Sequence, residues 1–188
     1  MKPSSVSEQL MQRFARESYH TTRQFADRDR RYEKHCGPTA ITNLVLTLRP
    51  DLADEAGTVF DEVARIGRRS GIYWNLHATR HIGGTSDALA GLYMRRVLHH
   101  FDLAEARVRF SGPALADAVR RALTAEKDQR TQRVVYLAMH FHPKYHNHHL
   151  LIYGLDWQGF RAADGWQAKP VWLGERDLRG AVFYTIEA

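Results

Sequence analysis

The sequence predicts an α+β domain in which a helical N-terminal half packs on a C-terminal antiparallel β-sheet. Three observations carry this. Between residue 36 and about residue 127 most apolar residues recur at helical spacing. From residue 133 onward the period changes to two, in short runs separated by turn residues. Helical and strand patterns are also segregated along the chain rather than alternating, which argues against a parallel βαβ sheet. At 188 residues and 44% hydrophobic content, one globular domain with a sizeable core is expected.

Residues 1–28 form a polar stretch with weak periodicity, expected as a helical arm on the surface ahead of a domain spanning 29–188. The first helix opens at Cys36-Gly37-Pro38. Ile41, Leu44, Val45 and Leu48 form its apolar stripe, and Pro50 stops it. Pro38 suits a first turn, where a backbone N–H has no helical acceptor. A second helix is expected over residues 58–69, with Val59, Phe60, Val63 and Ile66 inward and Gly71 beyond its end. Thr85 or Ser86 can cap a third, whose stripe is Leu89, Leu92, Tyr93 and Val97. Residues 107–110 read as a strand. A fourth helix follows, with Leu115, Val119, Ala122 and Leu123 inward. Strands are then expected over 133–141, 149–156, 159–166, 168–174 and 180–188.

Composition narrows the function. The net charge is +6, but the arginines of 23–34 are interleaved with acids, those of 65–70 form no long basic block, and no nucleic-acid-binding signature is present. Nucleic acid is therefore not the expected partner. No run of 18 apolar residues predicts a membrane span, and the N-terminus lacks an apolar signal core. With a single cysteine, no internal disulfide can form, so a reducing, cytoplasmic setting or a reactive thiol is expected.

That cysteine stands at the mouth of the first helix. Unpaired backbone N–H groups and the helix dipole favour the thiolate there, which predicts a lowered pKa and a place to hold an oxyanion. A cysteine hydrolase also needs a base and a group to orient it. His148 and His149 open an apolar strand that ends at Gly154, and the following strand ends at Asp164-Gly165-Trp166. Antiparallel pairing can bring the start of one strand beside the end of the next. The period of two points the histidines to opposite faces, so only one can serve.

The segment "CGPTA" opening a helix, followed by "HHLLIYGLD" and "AADGW", resembles the papain-like cysteine peptidase superfamily, most closely its peptidase C39-like branch. The resemblance covers about residues 30–188. In that family the histidine lies six residues before a strand glycine and sixteen before an Asp or Asn. His148 meets both spacings, to Gly154 and Asp164, and His149 misses each by one. The resemblance implies Cys36 as nucleophile, His148 as general base, and Asp164 as the group that orients the imidazole and favours its charged form. It implies a shielding role for Trp166 and an oxyanion-hole donor in the Cys36 backbone N–H. The family places a glutamine about six residues before the cysteine as second donor. Here Arg30 stands there and the nearest glutamine is Gln24, so Gln24, Arg30 or Tyr32 is the candidate. One such donor is worth about 3–4 kcal/mol of barrier.

Further groove candidates are His35, Gly83, Gly84, His149 and Trp166. The Gly-Gly pair ahead of the third helix is expected as a tight turn or groove wall, or as an anion site. In "HFHPKYHNHH", His140 and His142 would share a strand face and could ligate a metal with His146. No carboxylate or second cysteine accompanies them, so neither a metal nor another cofactor is expected. The expected activity is thiol-dependent hydrolysis of a peptide or other amide through a thioester. Alternatives are acyl or peptidyl transfer on the same triad, a C39-like binding domain without turnover, and a metal-dependent hydrolase at the histidine cluster.

Overall fold

The computed structural model describes residues 21–25, 34–75, 83–124 and 132–188. Helix α1 (Cys36–Leu48) begins where the sequence predicts. The His35 carbonyl accepts the Thr39 N–H at 2.8 Å, and Pro50 opens a 3₁₀ turn just past the helix end. Its burial exceeds a stripe: every residue from Gly37 to Thr47 is buried, so α1 is the central helix. Helix α2 (Ala56–Arg69) lays Val59, Phe60 and Val63 against it, with Ile66 half-buried and Gly71 at φ 66° just beyond the helix. Glycine suits that left-handed position because it has no Cβ.

A two-stranded sheet pairs β1 (Tyr73–Asn75) with β2 (Gly83–Thr85), so the Gly-Gly pair lies in a strand. Helix α3 (Ala90–His100) follows a 3₁₀ turn at Asp87–Leu89 and has no side-chain cap. Tyr93 and Val97 are buried as expected. Leu89 and Leu92 are exposed instead, because Ala90, Met94 and Leu98 complete the inward face. Strand β3 (Arg107–Pro113) precedes helix α4 (Ala116–Thr124). Val119 is buried and Ala122 and Leu123 are half-buried. Leu115 lies ahead of the helix and is exposed.

The remaining strands are β4 (Arg133–His142), β5 (His146–Asp156), β6 (Gly159–Ala163), β7 (Val171–Leu173) and β8 (Val182–Glu187). With β3 they form a six-stranded antiparallel sheet in the order β3-β8-β4-β5-β6-β7. The segregated α+β class is as the sequence predicts, with helices on both faces of the sheet. Tyr136, Leu151, Tyr153 and Tyr184 meet α1, α2 and α3, whereas Leu137, Leu150, Ile152 and Phe183 share the other face with Val119 of α4.

Of the expected N-terminal arm, residues 1–20 and 26–28 lie outside the described residues. Phe25, at the end of a one-turn helix from Thr22, is in the core rather than on the surface. It stacks on Phe60 with ring centroids 4.1 Å apart, a geometry worth about 0.5–1.5 kcal/mol beyond burial. Among the described residues no helix is long and apolar enough to cross a membrane.

Candidate active site

Three elements converge on one cleft of about 500 Å³: the start of α1, strand β2 and the β4–β5 turn. Lys34, His35 and Cys36 line it from the mouth of α1 and the two residues before it, and Gly83, Gly84, Thr85 and Asp87 from β2 and the turn after it. From the sheet come Met139, Tyr145, His146, Asn147, His148, His149 and Trp166. All the groove candidates named from the sequence are here, together with Cys36 and His148.

The approach of α1 to β2 depends on Gly37. A Cβ at that position would lie 2.0 Å from Thr85 Oγ1 and 2.6 Å from Thr85 Cβ, so only glycine lets the helix mouth reach the strand. The Thr85 hydroxyl is buried at this contact without a hydrogen-bond partner.

Cys36 is half-buried as a residue, but its sulfur is surrounded by protein. Burial pushes the thiol above its ordinary range. The backbone N–H groups of His149, Gly37 and Cys36 itself pull it down, and the nearby Asp87 carboxylate pushes it up. The sequence predicts a lowered pKa, but here desolvation outweighs the helix terminus. The resting form is therefore the thiol.

His148 and His149 alternate as the strand period requires. His149 pairs opposite Ala138 on the α1 face and His148 opposite Met139 on the other. Both line the cleft because it spans the whole start of β5, His146 to His149. His148 donates from Nε2 to the main-chain carbonyl of Asp164 at 2.5 Å. Its Nδ1 has no hydrogen-bond partner among the described residues. The Tyr145 ring lies nearly parallel to the imidazole at 5.5 Å, and Trp166 covers it at 4.9 Å. Burial lowers the His148 pKa from 6.5, against the opposing pull of Asp164.

Asp164 lies just past the end of β6, fully buried, and does not line the cleft. Its carboxylate does not touch His148. Oδ1 accepts the N–H groups of Trp166 and Gln167 at 2.9 and 3.1 Å, and Oδ2 accepts the Tyr145 hydroxyl at 3.3 Å. Lys144 Nζ donates to the same hydroxyl at 2.9 Å. The expected orienting contact therefore runs through the main chain, and the carboxylate holds the turn that presents the carbonyl.

His149 has both ring nitrogens engaged. Nδ1 is 2.9 Å from the Tyr136 hydroxyl and Nε2 is 3.2 Å from Asp87 Oδ1. Complete burial and the neighbouring His148 and His140 push its pKa down to about 3, so it is neutral at pH 7.

Gln24 is exposed and does not line the cleft, and its Oε1 accepts the Thr21 N–H at 2.6 Å. Arg30 and Tyr32 lie outside the described residues. The expected shared face of His140 and His142 is broken by a bulge. Phe141 takes φ 51° and the register shifts between Met139 and His142. His140 then faces Asp87 at 3.5 Å. His142 faces Asp177 at 3.3 Å, and its Nδ1 accepts the N–H groups of Lys144 and Tyr145. Among the described residues no three His, Cys, Asp or Glu side chains gather as a metal site requires.

Asp87, Tyr145, Thr85 and Asn147 are among the cleft residues that motif reasoning missed. Tyr145 carried a usable signal, three residues before the candidate base on the same hairpin. Asp87 carried none, since its place beside the thiol depends on how β2 packs on α1. No family model matches the chain, and no curated protein is detectably related to it.

Proposed function

We propose that this protein is a papain-like, C39-like thiol hydrolase that cleaves a peptide or other amide through a thioester on Cys36. The observation that carries the reading is the hydrogen bond from His148 Nε2 to the Asp164 carbonyl. It fixes the tautomer with the proton on Nε2 and leaves Nδ1 without a hydrogen bond among the described residues, on a histidine that lines the same cleft as Cys36.

From a neutral thiol–imidazole pair, Cys36 Sγ attacks the acyl carbon as its proton passes to His148 Nδ1. The tetrahedral adduct breaks its C–N bond, and His148 returns that proton to the departing amine. Water then attacks the thioester and gives its proton to His148. The C–S bond breaks, the acid leaves, and Cys36 recovers the proton. Candidate donors to the oxyanion are the Cys36 N–H and the amide NH₂ of Asn147, whose Oδ1 is occupied by the Phe141 N–H at 3.1 Å.

One observation favours a second reading, with His149 as base: it is the histidine that contacts a carboxylate side chain. Its Nδ1, however, already faces Tyr136 and it is held neutral by burial, so His148 is preferred. The position of Gln24 outside the cleft favours a third, a binding domain of the same fold without turnover.

A panel of peptide, isopeptide and small amide substrates tests the proposal. Hydrolysis should be lost in Cys36→Ala and in His148→Ala and kept, though reduced, in His149→Gln. Turnover that survives Cys36→Ala would overturn it.

A further inference from the structure

The cleft is rich in groups that carry or accept protons, yet among its described lining residues it holds one carboxylate. Asp87 sits at the first position of the 3₁₀ turn after β2, opposite the start of α1, with its side chain 35% exposed. The groups facing it come from four elements. His149 of β5 approaches Oδ1 at 3.2 Å and His140 of β4 approaches Oδ2 at 3.5 Å. The Tyr184 hydroxyl of β8 donates to the Asp87 main-chain carbonyl at 2.8 Å. Tyr136 of β4 stands behind His149, and Cys36 of α1 is close enough to feel the carboxylate's charge.

Neither side-chain partner of the carboxylate is a permanent cation. His149 is neutral at pH 7, and His140 is a half-buried imidazole. No Lys or Arg among the described residues forms an ion pair with Asp87. A partly desolvated carboxylate with only imidazole partners is costly unless a cation completes it. Asp87 lines the same cleft as Cys36 and Lys34, and its charge reaches the sulfur.

We infer that Asp87 is a specificity residue, and that this cleft selects acyl substrates bearing an ammonium or guanidinium group close to the scissile carbonyl. The inference rests on Cys36 being the reacting atom and names the substrate class for that reaction. A cation bound at Asp87 also offsets the charge that disfavours the thiolate, so such a substrate helps to activate the nucleophile that attacks it.

Thiol modification tests this without any turnover. Methanethiosulfonates transfer an alkylthio group to a thiolate, forming a mixed disulfide and releasing methanesulfinate. Three reagents bearing a trimethylammonium, a neutral methyl or a sulfonate group are compared on Cys36 at pH 8, where exposed histidines are neutral. Each rate is divided by that of the same reagent with 2-mercaptoethanol. The expected order is cation, neutral, anion, with a cation-to-anion ratio of about tenfold or more. The protein's net charge of +6 pulls the opposite way, so a cation preference has a local source.

Asp87→Asn should bring the ratio to one or below while keeping the oxygen that His149 approaches. Any change in the Cys36 pKa cancels, since all three reagents consume the same thiolate. In the unmodified protein, raising salt from 10 mM to 1 M should collapse the ratio even if the variant folds poorly. An anion preference, a ratio unchanged by Asp87→Asn, or a ratio indifferent to salt would overturn the inference. Failure of the amide panel with the charge order intact would instead sink the hydrolase reading.

Discussion

The His148 imidazole is held by the main-chain carbonyl of Asp164 at 2.5 Å, while the Asp164 carboxylate turns away to the amides of Trp166 and Gln167. Asp164→Asn keeps an oxygen for those amides and leaves the carbonyl in place. Its kcat/KM on the best substrate of the panel should fall by less than about tenfold. Asp164→Ala removes the acceptors and should destabilise the fold by about 1–3 kcal/mol in chemical denaturation. A loss of several powers of ten in Asp164→Asn would mean that the carboxylate orients the base after all.

Tyr145 acts on His148 in two ways, by stacking and through its hydroxyl bond to Asp164. Tyr145→Phe keeps the ring and should cost kcat about two- to fivefold. Tyr145→Ala removes the wall of the imidazole and should cost at least ten times more than Tyr145→Phe. The acid limb of the pH–rate profile should also move in Tyr145→Ala, because water then reaches His148 and its pKa rises toward 6.5. Equal losses without movement of that limb would show that the ring does not position the base.

The pH–rate profile of the unmodified protein has a definite sign. In the proposed mechanism His148 must be neutral to take the Cys36 proton, and burial sets its pKa below 6.5. Activity should rise with pH along a limb centred below 6.5 and level off at neutrality. A limb centred above 6.5 would indicate a net stabilising charge on the imidazole, such as an ion pair with the thiolate.

Stability depends on pH through His149. Its folded pKa is depressed to about 3 from an unfolded value of 6.5, so below 6.5 the unfolded chain binds a proton that the folded one refuses. Between pH 6.5 and about 3, this group alone should remove up to about 1.4 kcal/mol of stability per pH unit. Stability is unaffected by it above pH 6.5. Denaturant midpoints measured from pH 7 to pH 4 should fall, and His149→Gln should flatten the fall.

At the mouth of α1, Gly37→Ala forces a methyl group into Thr85. Overpacking of this kind costs about 1–3 kcal/mol. Because the displaced contact joins the helix to the cleft wall, the alkylation rate of Cys36 by iodoacetamide should change with it. An unchanged denaturant midpoint would show that β2 yields easily.

Much of the architecture was legible because periodicity reports burial. The positions of α1 and α2 and the run of C-terminal strands follow from it, and the Cys-Gly-Pro segment marks the helix mouth. Leu89, Leu92 and Leu115 were misplaced because an apolar residue near a helix start has alternative faces until the neighbouring elements dock. Phe141 hid the fate of the histidine run, since one left-handed residue in a bulge separates His140 from His142. The spacing from His148 to Asp164 located the contact, but sequence does not distinguish a side-chain oxygen from a main-chain one. The thiol's direction of shift was misread because the helix terminus is visible in sequence and the depth of the sulfur is not. Asp87 depends wholly on tertiary packing.

The central claim is that Cys36 and His148 act together on an acyl carbon. Reaction with p-nitrophenyl acetate, followed by stopped-flow release of p-nitrophenolate and intact mass, tests it most directly. Expected is a burst of one equivalent with the acetyl group on Cys36, then slower turnover as the thioester hydrolyses. His148→Ala should slow both phases by about a hundredfold or more. Acetylation of Cys36 no faster than that of a simple thiol of matched pKa, and indifferent to His148→Ala, would contradict it.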